Sequence, residues 1–191
     1  MARKVRPAFI ATGAMSDPYN PFEASLQLTR HALELIDAYQ CGAAIATKSD
    51  LIVRDGDILY SIARHSPVIC KLTITTTDDA MAARLEPGAP SPSRRLAALR
   101  ELADRGLFAG VLLMPVLPFL EDTEENVLEV VERAAEAGAS FVYPALGVTM
   151  REGQREYFLQ GLEDAFPGQG LRARYLRRYG DRYWCASPRA R

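Results

Sequence analysis

Thr12, Gly13, Ser16 and Asp17 crowd together directly after the apolar run "AFIATG", and the chain then passes through "MSDPYNPFE" into an amphipathic stretch. If the apolar run is a buried strand, these groups sit at its carboxyl end, where ligands bind in parallel sheets. Lys48 ends a second apolar run, "AAIATKS". A lysine so placed holds a carboxylate as a point charge or, if desolvated, attacks a carbonyl as a Schiff-base amine. The threonine-rich stretch 73–77 follows a third run, and Met114 and Pro115 follow a fourth. The strand ends therefore offer groups that are small, polar and few. Glu86, Arg94 and Arg95 flank "EPGAPSPSRR" and read as an ion pair tying that loop down.

Other chemistries are excluded by pattern. No GxGxxG follows the first run and no GxxxxGK[ST] occurs, which removes the Rossmann dehydrogenases and P-loop enzymes. Cys41, Cys70 and Cys185 have no metal-type spacing and read as free thiols. His31 and His65 lack partners at ligand spacing, so core or surface roles are expected of them.

The elements that must position these groups alternate along the chain. After a strand over 8–12, Phe22, Leu26, Leu33, Ile36 and Tyr39 repeat at near-helical spacing until Cys41 and Gly42 stop the run. A second strand is followed by a short helix at about 55–64 that turns Ile58, Leu59 and Ile62 inward, and "PVICKLTITT" reads as the third strand. Next come the short helix "DDAMAARL" and, past "EPGAPSP", a longer one with a Leu96, Leu99, Leu102 stripe ending at Gly106. "AGVLLMPV" is the fourth strand. Asp122 with Glu125 reads as a capping box before a helix whose inner face is Val127, Val130, Val131 and Ala134 and which Gly138 ends. "SFVYPAL" is the fifth strand, 151–166 a last helix, and 167–191 a Pro/Gly-punctuated tail. Strands separated by helices pair in parallel through right-handed crossovers, which gives the α/β class, as a doubly wound sheet or part of a (βα) barrel.

With 191 residues, 48% of them hydrophobic and 25% charged, the chain reads as one globular domain over 1–191. No apolar run approaches the roughly 20 residues of a membrane span, and "MARKVRPAF" lacks the core of a secretory signal. A cytoplasmic location without membrane partners is expected. The basic tail carries Arg172, Arg174, Arg177, Arg178, Arg182, Arg189 and Arg191 against the single acid Asp181. Such a tail either contacts nucleic-acid phosphates or lays arginine stems over apolar surface.

In this order, "SDPYNPFEASLQLTR", "AIATKSDLIVRD", "KLTITTTDDAMAARLEPGAPSPSRRLAAL" and "VLLMPVLP" resemble the spore photoproduct lyase-like branch of the radical S-adenosylmethionine enzymes. The similarity runs from about Phe9 to Cys185 and includes "REGQREYFLQGLEDAFPG" and "YGDRYWC". It implies a partial (βα) barrel of the radical S-adenosylmethionine type, here with five parallel strands. Complete members hold a [4Fe–4S] cluster on a CxxxCxxC loop after the first barrel strand. The cluster cleaves S-adenosylmethionine to a 5′-deoxyadenosyl radical, and part of the branch repairs DNA lesions. This sequence has no CxxxCxxC, so its opening strand corresponds to the family's second, the first strand and cluster loop are missing, and no cluster is expected on this chain alone.

The resemblance also assigns residues toward S-adenosylmethionine. Ser16 and Asp17 stand where the family contacts the methionine amino group, Lys48 matches a lysine at the polar part of the cofactor, and Thr73 stands at a small hydroxyl position facing it. Arg95 matches the arginine after the proline-rich turn, and Pro115 lies where a strand passes the adenine. The family's PGxND turn stands here as "PFLED".

Three function classes follow: a radical enzyme lacking its cluster segment, a Lys48-dependent carbonyl enzyme, and a non-catalytic remnant that binds nucleic acid or protein. The expected partners are an N-terminal segment carrying the cysteines, nucleic acid, or a second copy. Self-association would use the strand at 8–12 as an unprotected edge, tempered by Arg3, Lys4 and Arg6.

Overall fold

In a computed structural model, which describes residues 8–189, the apolar runs form five parallel strands in the order β1-β2-β3-β4-β5. They are β1 (Phe9–Thr12), β2 (Gly42–Thr47), β3 (Val68–Thr73), β4 (Ala109–Leu113) and β5 (Val142–Pro144). Between them lie α1 (Glu23–Leu26), α2 (Leu28–Ala38), a 3₁₀ turn (Asp50–Asp55), α3 (Gly56–Ala63), α4 (Asp79–Leu85), α5 (Pro92–Asp104) and α6 (Glu124–Glu136). The α/β class expected from alternation is the class observed. Strand order follows chain order throughout, as in one arc of a (βα) barrel.

Register separates the two faces. Ile45 pairs with Cys70, Cys70 with Ala109, and Leu72 with Val111. These side chains turn to the helices, where Leu33, Leu59, Ile62, Leu99, Leu102 and Val130 complete the main core. Burying a side chain of this size stabilises the fold by about 1.5–3 kcal/mol. The alternate residues, among them Ala46, Ile69, Lys71, Thr73 and Leu112, turn to the inner face.

The helix expected over 22–39 is two helices. Gln27 takes a left-handed φ of 51° between them, and only Leu33 and Ile36 of the five stripe residues are buried; Phe22, Leu26 and Tyr39 are exposed. The cause is Glu23, whose buried carboxylate accepts from the backbone N–H groups of Thr29 (2.9 Å) and Arg30 (3.4 Å) and so caps α2 from outside it. The capping box also shifts by one residue. Thr123 caps α6 by accepting from Asn126 N–H, while Asp122 is buried elsewhere and Val131 is exposed.

Residues 151–166 do not contain the last helix. After β6 (Gly147–Thr149) and α7 (Gln154–Ala165) come α8 (Leu171–Tyr179) and β7 (Trp184–Ala186), which pairs antiparallel with β6. Leu171, Tyr175, Tyr179 and Cys185 pack with Leu159, Leu162 and Phe166 in a second core. Its buried tyrosines find partners, Tyr175 donating to Pro118 O (3.0 Å) and Tyr179 to Ala186 O (2.6 Å). The stretch expected as a tail thus carries structure of its own.

Among the described residues, no helix is long and apolar enough to cross a membrane. β1 is the outermost strand at one side of the sheet, with Phe9 and Ile10 exposed. Arg3, Lys4 and Arg6, expected to discourage edge pairing, lie outside the described residues, as does Arg191.

Candidate functional site

A cleft of about 1170 Å³ lies on the inner face of the sheet and reaches the carboxyl ends of the strands. The sequence places its first wall. Gly13 has φ of +90°, and a Cβ there would stand 2.0 Å from Ala46 O, so only glycine lets the end of β1 fold against β2. The turn then delivers Asp17. Its Oδ1 accepts from Thr47 Oγ1 (2.6 Å) and Tyr19 N–H (2.9 Å), and its Oδ2 accepts from Lys48 N–H (2.7 Å). "SDPY" is therefore a staple between the carboxyl ends of β1 and β2.

The rest of that segment is anchored as firmly. Tyr19 donates to the buried Asp55 (3.1 Å), which also receives Arg30 and Arg54. Burial, and then the Asp55 charge, push the Tyr19 phenol well above its usual range, so it stays a donor. Thr29 Oγ1 donates to Pro18 O (2.5 Å), and Arg54 pairs with Glu23 (2.8 Å). Ser16, by contrast, is exposed at the cleft mouth.

Lys48 is ion-paired with Glu86, and Glu86 with Arg95 (2.6 Å). An ammonium held by a carboxylate is a charge partner, not the desolvated neutral amine of Schiff-base chemistry. Burial alone pushes the Glu86 carboxyl up, but Lys48 and Arg95 together outweigh it and hold the group below its ordinary value. Arg95 itself is 2% exposed and donates to Pro90 O (2.8 Å) and Thr73 O (2.9 Å). It does not line the cleft. It sits behind the wall and fixes the loop and the end of β3. The expected pair between Glu86 and the loop arginines thus forms with Arg95 alone, while Arg94 pairs with Asp50 (2.6 Å).

The structure brings Ser16, Asp17, Lys48, Thr73 and Pro115 to one cleft and leaves Arg95 outside it. The "PFLED" turn is also outside. Glu121 accepts from Thr75 Oγ1 (2.6 Å) and Leu117 N–H (2.9 Å), and burial raises its carboxyl against those bonds. Asp122 accepts from Phe119 N–H (2.7 Å) and Ser187 Oγ (2.6 Å), latching the turn to the C-terminal segment.

Lys71, Tyr143 and Trp184 line the cleft and were not expected there. Lys71 carries a readable signal, one charge in the apolar run "VICKL" two residues before Thr73 and so on its face of the strand. Trp184 gives none, because only the pairing of β7 with β6 brings it near.

The cysteines do not fit an iron–sulfur cluster. Cys41 lies between α2 and β2, Cys70 on the helix side of β3 and Cys185 in β7, all free and buried. Burial pushes the Cys70 thiol up to about 12, far from the thiolate a cluster needs. Among the described residues, no group of three His, Cys, Asp or Glu side chains is placed to hold a metal ion.

On the arginine-rich side of the molecule, Arg174 stacks over Phe119 (4.4 Å) and Arg172 pairs with Glu156 (3.0 Å). Arg155 donates to the carbonyls of Gly180 and Arg182. These arginines lie over the outside of the second core.

No family model matches the chain. An uncharacterized protein of Mycobacterium tuberculosis is 30% identical over 171 residues, which is 90% of this chain and 50% of that protein. An uncharacterized protein of Methanocaldococcus jannaschii is 34% identical over 115 residues, 60% of this chain and 43% of that protein. The chain spans about half the length of the curated relatives it matches. Among solved structures, spore photoproduct lyase complexed with dinucleoside spore photoproduct aligns over 84% of this chain and 45% of its own, with TM-score 0.59 and 18% identity. A mutant of that enzyme with bound AdoMet and dinucleoside spore photoproduct aligns over 84% and 45%, with TM-score 0.58 and 20% identity. The likeness shows the fold: the five-stranded sheet is a partial barrel like that of spore photoproduct lyase.

Proposed function

We propose that this chain is the cofactor-holding part of a radical S-adenosylmethionine enzyme, and that the rim of its cleft binds S-adenosylmethionine. The observation that carries the reading is the meeting of Ser16, Asp17, Lys48, Thr73 and Pro115 at one cleft, on a barrel arc whose structural neighbour has AdoMet bound.

The donor and acceptor inventory suits such a ligand. A carboxylate offers about four lone-pair sites; Asp17 has two bonds on Oδ1 and one on Oδ2, which leaves a site for an ammonium. Lys48 uses one of its donors on Glu86 and keeps the others for a carboxylate. A free amino acid end presents those two groups. Met114, Pro115 and Leu112 supply an apolar wall for an adenosyl body. S-adenosylmethionine supplies the radical precursor when bound; the residues here orient it.

Reduction is not assigned to this chain, since its cysteines do not fit a cluster. A CxxxCxxC segment from outside this sequence would have to supply it, and the DNA-lesion chemistry of part of the branch is not assigned either. Isothermal titration with S-adenosylmethionine and with ATP tests the reading. Saturable binding of the first, weakened by Lys48→Met and by Thr73→Val, is expected. Equal affinity for ATP, or no binding to the folded chain, would contradict it.

A further inference from the structure

One cation of the cleft takes no part in the rim. Lys71 stands in the middle of β3, in register with Ala46 on β2 and Gly110 on β4, so its neighbours on the inner face are a methyl group and no side chain at all. Its ammonium forms no ion pair or hydrogen bond with a described residue, whereas Lys48 is held by Glu86. The surroundings are aromatic. Phe108 and Phe141 stack with ring centroids 5.4 Å apart, and Ile69, Leu112 and Tyr143 continue the wall. Gly110 makes this possible, because a Cβ there would stand 2.6 Å from the Phe141 ring.

At about 1170 Å³ the cleft is large and open, just above the roughly 300–1,000 Å³ of ligand pockets. Lys71 is partly exposed, so its ammonium is open to an anion entering the cleft, and a hydrogen bond between charged partners is the stronger kind. Asp17, the acid lining the cleft, is bound at the rim to Thr47, Lys48 and Tyr19.

We propose that the floor of the cleft is a second subsite, taking an aromatic molecule that carries an oxyanion, with Lys71 as the anion's partner and Phe108 and Phe141 as the stacking wall. The proposal rests on the S-adenosylmethionine reading only for what occupies the rim. A carboxylate and a phosphate share the chemistry Lys71 recognises, so both are tested.

The experiment is isothermal titration of the full chain with 2-naphthoate, 2-naphthyl phosphate and 2-naphthylmethylammonium, and separately with S-adenosylmethionine. Both anions are expected to bind saturably, in either order of affinity, and the cationic naphthalene about tenfold more weakly or not at all. Lys71→Met lowers the affinity for the anions by about tenfold, and Lys71→Arg, which keeps the charge, stays within about threefold of the parent. Circular dichroism checks each fold, and Lys71→Gln replaces the Met variant if that one does not fold. Anion affinity unchanged by loss of the Lys71 charge would overturn the proposal, as would equal binding of the cationic naphthalene or no anion binding to the folded chain. The S-adenosylmethionine titration keeps the two readings apart. Anions bound through Lys71 without S-adenosylmethionine binding leave the floor proposal standing and the cofactor reading not; the reverse pattern does the opposite.

Discussion

At the rim of the cleft Asp17 accepts three hydrogen bonds, and Lys48 begins a chain of ion pairs that runs through Glu86 to Arg95 behind the wall, whereas on the floor Lys71 stands between Ala46 and Gly110 with no described partner. Both regions lie on the same sheet, a few residues apart. The difference teaches which polar groups hold the fold and which await a ligand. A rim substitution should cost stability and binding together, a floor substitution binding alone.

The largest effect is expected from Arg95→Leu. It strips Glu86 of its buried partner and leaves Thr73 O and Pro90 O without their donor. A loss of about 3 kcal/mol follows, since breaking a buried pair on one side exceeds the worth of the pair. Urea unfolding measures it, and a variant as stable as the parent would break the comparison at the rim. Gly13→Ala comes next, at about 2 kcal/mol, because the φ of +90° and the contact with Ala46 O force β1 away from β2. Asp17→Asn replaces one accepting oxygen by a donor facing N–H or O–H groups, which costs about 1–2 kcal/mol; matched unfolding curves would show that the staple is dispensable.

Acid sharpens the comparison further. Glu86 is held below its ordinary value, so its contribution is fully present above the usual carboxylate range and is lost as pH falls through the lower folded-state value. The parent should lose stability in acid more steeply than Glu86→Gln, and superimposable pH profiles would remove Glu86 from the rim's framework. The smallest effect belongs to Lys71→Met, which should shift stability by no more than about 0.5 kcal/mol in either direction. A large loss would mean that the floor, like the rim, is structural.

Much of this fold was legible because strand–helix alternation and the leucine stripe of α5 are strong local signals. Leu96, Leu99 and Leu102 are buried as their spacing requires. Where side chains replaced local rules, reading failed. Glu23 reaches past Gln27 to cap α2, and Thr123 takes the cap that Asp122 and Glu125 suggested. The C-terminal segment hid its helix because Tyr175 and Tyr179 are core residues among arginines. At the site, strand ends pointed to Asp17, Lys48 and Thr73, and the lone charge in "VICKL" could have pointed to Lys71, yet only packing shows that Arg95 lies behind the wall and that Trp184 reaches the cleft.

The chain contains three lysines, Lys4, Lys48 and Lys71, so selective ¹⁵N-lysine labelling gives three backbone amide resonances that Lys→Arg variants assign. Titrating S-adenosylmethionine into that sample tests most directly the claim that the rim holds this molecule. The account predicts a saturable shift of the Lys48 resonance with Lys71 moving far less. No saturable shift at Lys48, or equal shifts at all three lysines, would contradict it.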